Sequence, residues 1–275
     1  MRRAAHQMVD ERPLVLDDPW AVKILEPLLA VHGHNYEIKR SRHDVSKAFR
    51  SYLVGRSRYA EDALRLAYRG GVRQYVVLGA GLDTFALRNP FADLRVYEVD
   101  HPATQEWKRE LMDEAGIDAP GDLRFAAVDF EHQAPGEGLA RAGFDFERRA
   151  FFSWLGVTMY LTPAGFRATL GMIGRMAAGS AVSLDFSLPR RMLGSAERMA
   201  LDRLAKRVES AGEPFQLFFS EAEIAGEFEL AGFSRWEMLD GEAVNERYFS
   251  GRGDGLKLVG GAARLATAWI EQSNC

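Results

Sequence analysis

The stretch Val76-Val77-Leu78-Gly79-Ala80-Gly81-Leu82-Asp83-Thr84 decides how this 275-residue chain folds. Three apolar residues run into a glycine pair, the pattern of a buried strand that enters a tight turn at its carboxyl end. Working outward, residues 95–99 read as a second strand. His101-Pro102 then opens a helix in which Trp107, Leu111 and Ala115 share a face and Gly116 marks the end. Residues 123–128 and 150–155 make a third and a fourth strand. The next helix has Thr162 as N-cap, Pro163 in its first turn, Phe166, Leu170 and Ile173 on one face, and Gly179 beyond it. A fifth strand follows at 181–186 and a longer helix at 190–211. Ser220-Glu221-Ala222-Glu223 is a capping box for a helix carrying Ile224 and Phe228 and closed by Gly232. Residues 234–239 and 265–270 read as two last strands, joined by a loop with no clear crossover helix. Upstream, residues 1 to about 70 are rich in Arg, His, Ala and Leu and carry no strand-like run.

Strands alternating with helices demand right-handed crossovers, so the expected fold is α/β: a mostly parallel sheet with helices on both faces. The last two strands are open to an antiparallel pairing at one side. The expected organisation is a helical cap over residues 1–70 and a sheet domain over 71–275, with a lid insertion at about 190–219.

Composition narrows the function classes. Hydrophobic residues are 47% and charged residues 27%, which suits a packed globular core rather than a disordered chain. A formal net charge of −4 argues against a nucleic-acid partner. Positive charge at Arg2 and Arg3 is not followed by an apolar leader segment, and no uncharged run approaches the ~18 to 20 residues of a membrane span. The only cysteine is Cys275, which excludes an intrachain disulfide and a cysteine-held metal cluster. A cytoplasmic protein without a membrane partner is expected. His32 and His34, and the basic group Arg40, Arg42 and His43, read as solvated helix or loop features rather than as a metal or RNA site.

The glycine turn is where a ligand meets backbone, because side chains with a Cβ would hold it off. Nineteen residues after Gly79, Glu98 is placed to accept ribose hydroxyls, and Asp129 ends the third strand with another carboxylate. A dinucleotide fingerprint needs a third glycine where this chain has Thr84, and Asp83 beside it would repel a diphosphate. A carboxylate suits a cofactor that carries an amine and a sulfonium. The residues therefore favour S-adenosyl-L-methionine over NAD.

Five segments in order resemble the leucine carboxyl methyltransferase family: Arg56-Ser57-Arg58-Tyr59, the glycine stretch, Glu98-Val99-Asp100-His101-Pro102, Asp129-Phe130, and residues 154–162 from Trp154 to Thr162. The closest likeness is to its bacterial branch of class I S-adenosylmethionine-dependent methyltransferases, which includes polyketide carboxyl O-methyltransferases. The resemblance runs from about Ala4 to the segment around Asp254-Gly255-Leu256. It implies a Rossmann-like, seven-stranded, mostly parallel sheet with an antiparallel last strand and a helical amino-terminal cap. It also implies cofactor roles. Arg58 would pair with the methionyl carboxylate, Gly79, Gly81 and Asp83 would line the methionine end, Glu98 would hold the ribose, and Asp129 with Phe130 would face the adenine. Leu155, also at the cofactor, stands where many members have Glu, and the amino-terminal lysine of the eukaryotic enzymes has no counterpart here.

The implied reaction is O-methylation of a small-molecule carboxylate or phenolic hydroxyl, without a metal. A carboxylate is already ionised at neutral pH and needs no base; a phenol gains from one. Tyr160 is the candidate on the acceptor side, and Phe215, Leu217, Phe218 and Phe219 suit either a lipophilic substrate or a packed core. An NAD-dependent oxidoreductase and a cofactor-binding homologue without turnover are the alternatives.

Overall fold

The computed structural model describes residues 1–32, 44–130, 133, 135–210 and 212–271. His34, Arg40, Arg42, His43 and Cys275 lie outside the described residues, as does the side chain of His32. The helices α1 (Arg2–Val9), α2 (Trp20–Lys23), α3 (Glu26–His32) and α4 (Asp44–Arg69) precede the sheet. Then follow β1 (Gln74–Leu78), β2 (Arg95–Asp100), α5 (Pro102–Glu114), β3 (Leu123–Ala127), α6 (Pro135–Arg141), β4 (Ala150–Trp154), α7 (Pro163–Gly174) and β5 (Ala181–Ser187). The chain continues through α8 (Ser195–Glu209), α9 (Glu221–Ala231), β6 (Arg235–Leu239), α10 (Gly241–Tyr248) and β7 (Ala263–Trp269). No helix among the described residues is long and apolar enough to cross a membrane.

The strands form one seven-stranded sheet in the order β3-β2-β1-β4-β5-β7-β6. β1 through β5 pair in parallel, and β7 runs antiparallel between β5 and β6. This is the class I methyltransferase sheet, with helices on both faces. Period-two alternation sends Val76, Leu78, Tyr97, Phe152 and Trp154 to one face, where Phe166 and Leu170 of α7 cover them. Tyr75, Val77, Val96 and Phe151 go to the other face, under Leu64 of α4. The Trp154 and Phe166 rings stack with centroids 5.2 Å apart.

The glycine turn leads into a single 3-10 turn, Ala86–Arg88. Three local expectations change. In α5 the buried face carries Gln105, Lys108, Leu111 and Met112, whereas Trp107 is 43% exposed. The long helix expected from residue 190 breaks into a 3-10 turn, Arg190–Met192, and α8, because Gly194 adopts an extended N-cap and its N–H is taken by Glu197 Oε2 at 3.0 Å. Between β6 and β7 stands α10, started by Asp240, whose Oδ1 accepts the Ala243 N–H at 2.9 Å, and held by buried Val244. Asp240-Gly241-Glu242 was a legible helix start.

The amino-terminal helices are tied to the sheet by charge as well as by packing. Arg3 donates to Asp83 Oδ2 at 2.8 Å and to the Leu82 carbonyl at 2.9 Å. Thr84 Oγ1 donates to the fully buried Asp18 carboxylate, which also accepts the Ala21 N–H and faces Arg88 at 3.3 Å. The Arg190–Met192 turn and α8 also dock on the main core, through Leu193 and Leu201, and the irregular segment before α9 adds buried Leu217 and Phe219.

Two stability experiments follow. A Cβ on Gly174 would lie 1.8 Å from the Ala231 carbonyl oxygen, backbone that cannot swing aside as a side chain does, so α7 and α9 meet only if position 174 is bare. Gly174→Ala should cost roughly 1 to 3 kcal/mol by urea denaturation. Burial alone would raise the Asp83 pKa, but Arg3, Lys108 and Arg88 and the Phe85 N–H bring it from 3.8 to about 2. The folded value lies below the unfolded one, so the stabilisation is complete above about pH 4 and is lost as pH falls through about 2. Asp83→Asn should cost about 2 kcal/mol at pH 6, and the gap to the parent should narrow below about pH 4 and close as pH falls through about 2.

Candidate active site

A cavity of about 330 Å³ opens at the carboxyl ends of β1 and β4. Its floor is the turn from Gly79 to Asp83; Leu155 and Gly156 form one wall, Arg56 and Ser57 of α4 another, and the first residues of α1 close over it. The turn is held tightly. Gly79 and Ala80 both donate to the Val99 carbonyl, at 2.8 and 3.1 Å, and Asp83 donates to the Ala80 carbonyl at 2.8 Å. Gly79 has φ +67°, and a Cβ there would sit 2.3 Å from a Val157 methyl. Gly81, at φ +50°, has nothing within 4 Å of its Cβ position. One glycine is thus required by the protein and the other opens on free space.

The acid at the end of β2 is not the expected one. Glu98 stands two residues before the strand end, its side chain 2% exposed, paired with Lys108 at 2.5 Å. Lys108 also donates to the Asp83 carbonyl at 2.5 Å, so Glu98 supports the turn from beneath. Burial raises the Glu98 pKa above the carboxylate range, and Lys108 pulls it back in part. The acid that reaches the turn is Asp100, whose Oδ2 accepts the Gly81 N–H at 2.5 Å and whose Oδ1 accepts the His101 N–H at 2.7 Å. A spacing of 19 residues holds from Gly79 to Glu98 and equally from Gly81 to Asp100. The second count links the two residues that bond to each other.

Arg58 is likewise displaced from its expected place. It pairs with Asp62 at 3.0 Å and donates to the Val15 carbonyl, with a side chain 41% exposed. Two residues along a helix is about 200° of rotation. Hence it is Arg56 that faces the cavity. Arg56 Nη1 donates to Asp185 Oδ2 at 2.8 Å, and its side chain is 18% exposed. Burial works against the Arg56 charge, but Asp185 and Tyr52 outweigh it and hold its pKa above the ordinary value.

The remaining candidates divide between places. Gly79, Gly81, Asp83 and Leu155 line the first cavity. Phe130 and Tyr160 line a second one of about 560 Å³, with Gln133, Thr162 and Gln216. Asp129, beside Phe130, is half-buried and accepts the Gln133 N–H on its carbonyl at 2.8 Å. Tyr160 ends the 3-10 turn Thr158–Tyr160, packs against Phe215 with ring centroids 5.3 Å apart, and has its pKa raised by burial and by Glu213. Arg56, Asp100, Lys108 and Asp185 are the residues that sequence reasoning missed. Arg56 and Asp100 were within the quoted segments, each two positions from the residue chosen.

Comparison with known proteins gives this geometry a family. Residues 1–174 match the leucine carboxyl methyltransferase family model. YktD of Bacillus subtilis, named as a candidate S-adenosyl-L-methionine-dependent methyltransferase, is 32% identical over 206 residues, covering 74% of this chain and 67% of that protein. Rv3787c of Mycobacterium tuberculosis, with the same description, is 32% identical over 202 residues, covering 68% of this chain and 62% of that protein. The matched stretch thus spans about two thirds of these relatives or slightly less. Among solved structures, a candidate methyltransferase from Thermobifida fusca superposes with a TM-score of 0.59 at 17% identity, over 82% of this chain and 84% of that one. The magnesium protoporphyrin IX methyltransferase of Synechocystis, solved with bound S-adenosylhomocysteine, gives 0.50 at 15% identity over 93% of this chain and 100% of that one. At such identities the structures speak for the fold. Together with the residue 1–174 match and the two bacterial relatives, they identify the chain as a member of the leucine carboxyl methyltransferase family.

Proposed function

We propose that this chain is an S-adenosyl-L-methionine-dependent O-methyltransferase that acts on a carboxylate, or a phenolic hydroxyl, of a small molecule in the cytoplasm. The observation that carries this reading is one cavity with a glycine turn for its floor, a carboxylate beside the turn and a guanidinium in its wall. Its volume lies at the lower end of the range of small-ligand pockets. The open space over Gly81 accommodates a ligand that lies against backbone. Arg56 suits a ligand carboxylate, and Asp100 suits vicinal hydroxyls. Asp83 and Asp100 would both repel a diphosphate, and the turn leads into a single 3-10 turn rather than a helix whose amino end could receive one. The residues fit the methyl donor better than NAD.

When bound, the donor supplies an electrophilic methyl on a sulfonium; the acceptor oxygen forms the new O–C bond as the C–S pair leaves with sulfur. The protein's part is to hold acceptor and donor in line, an ordering that can supply ~7 to 11 kcal/mol. Among the described residues the cavity lining contains no histidine or lysine to act as base, which favours an acceptor already ionised. We assign the acceptor to the side of Tyr160, with α1 to α4 and residues 190–219 as the cover.

Titration calorimetry with S-adenosylhomocysteine tests the donor site. Arg56→Met and Asp100→Ala should each weaken binding roughly ten- to hundredfold, the worth of a hydrogen bond to a charged group. Arg58→Ala should leave it unchanged. Absence of binding by the parent protein would refute the reading. For the acceptor, mass spectrometry of extract incubated with isotope-labelled donor should yield a product whose label is released by mild alkali, as an ester's is and an ether's is not. With a purified carboxylate acceptor the rate should be flat from pH 6 to about 9, whereas a phenol with pKa near 10 would give a rate that rises with pH.

A further inference from the structure

Asp185, two residues before the end of β5, has a side chain with no exposed surface. Its carboxylate is nevertheless the meeting point of the elements that form two walls of the cavity. Tyr52 and Arg56, one turn apart on α4, donate to Oδ2 at 2.5 and 2.8 Å. The Gly156 N–H, in the turn after β4, donates to Oδ1 at 2.5 Å. The Asp185 carbonyl accepts the Thr158 hydroxyl at 2.6 Å, which secures the next residues of the same turn.

A buried carboxylate is costly unless its oxygens are satisfied. Here each donor comes from a residue that lines or backs the cavity. The Arg56 guanidinium lies flat against Gly156: a Cβ at that position would meet Nη2 at 2.7 Å and Nη1 at 2.8 Å, and Gly156 has φ +74°. The Tyr52 ring stands 5.3 Å from the guanidinium carbon and limits its swing from the other side. Arg56 Nη1 carries the bond to Asp185, the Tyr52 hydroxyl lies at the same guanidinium, and among the described residues Nη2 meets no carboxylate. Nη2 is thus the edge left to meet a ligand carboxylate.

We propose that Asp185 is a positioning residue for the amino-acid end of the methyl donor: it orients Arg56 so that the free edge of the guanidinium receives the ligand carboxylate, and it fixes the Leu155-Gly156 turn beside it. This inference rests on the donor reading of the cavity. Asp185 touches no ligand in this scheme and acts through Arg56. Tyr52 reinforces it, as a neutral phenol whose pKa is driven up by burial and by the same carboxylate.

The test compares two probes by titration calorimetry. S-adenosylhomocysteine carries the amino acid, and 5′-methylthioadenosine has the same nucleoside and thioether without it. Asp185→Asn should weaken S-adenosylhomocysteine at least tenfold and leave 5′-methylthioadenosine within about twofold. Arg56→Met should show the same selectivity, and the double variant should bind no more weakly than Arg56→Met alone. A parallel loss of both probes in a folded Asp185→Asn protein would mean a merely structural role and overturn the proposal, as would unchanged S-adenosylhomocysteine binding. If Asp185→Asn does not fold, Tyr52→Phe keeps the carboxylate and removes one donor. A selective severalfold loss of S-adenosylhomocysteine then supports the proposal, and equal effects on both probes or none overturn it. If the parent binds neither probe, the donor reading falls, and this inference with it.

Discussion

Beneath the ligand cavity a single ammonium group joins three pieces of chain. Lys108, 2% exposed, reaches from α5 to the Glu98 carboxylate on β2 and to the Asp83 carbonyl in the turn after β1. Such a pair is a poor source of net stability, since desolvating two charges cancels most of their attraction. What it provides is placement. With Lys108 held by Glu98, the Asp83 carbonyl has a fixed position, and the Asp83 carboxylate is turned outward to Arg3 and the Phe85 N–H. The turn is thus shaped from below by Lys108, from behind by the Val99 carbonyl, and from one side by Asp100. Charges of alternating sign continue through Arg88 to Glu61 and Asp18, so that α1, α2 and α4 meet the sheet through a polar layer close to the site.

Much of the fold was legible because it depends on local chemistry. Thr162, Ser220 and Gly232 act as the caps their types foretell, with Gly232 at φ +97° in the left-handed region. The residues alone left an antiparallel pairing of the last strands as an option; the family resemblance implied an antiparallel last strand, and β7 is one. Its place between β5 and β6 is a matter of long-range pairing that no local pattern encodes. After the glycine turn, Leu82 packs with α2 and α3 while Phe85 and Ala86 join the sheet face under α4, and a single 3-10 turn links the two clusters.

The site was legible in its segments and less so in its side chains. Each segment quoted for the family likeness lies at or beside one of the two cavities. Within two of them the side chain that reaches the cavity or its turn lies two positions from the residue chosen. On β2, two positions keep the same face but move about 7 Å along the strand, from beneath the turn to its edge. On α4, two positions reverse the face altogether. Strand-end acids and helix arginines are therefore ambiguous until the end of the strand and the phase of the helix are known. Asp185 carried no motif at all, and its role exists only where α4, β4 and β5 come together.

The position of Asp185 ties the cavity to the order in which the sheet can be completed. Its neighbour across the sheet is Leu265 of β7, and β7 alone covers that edge of β5. Until residues 263–269 are available, a growing or refolding chain has β1 to β5 in place with β5 as an open, apolar edge, a template for unwanted pairing with other chains. In the proposed scheme, ligand capacity in a chain made from its amino end would follow the parallel half of the sheet, because the strand that bears Asp185 gains its second neighbour only with residues 263–269.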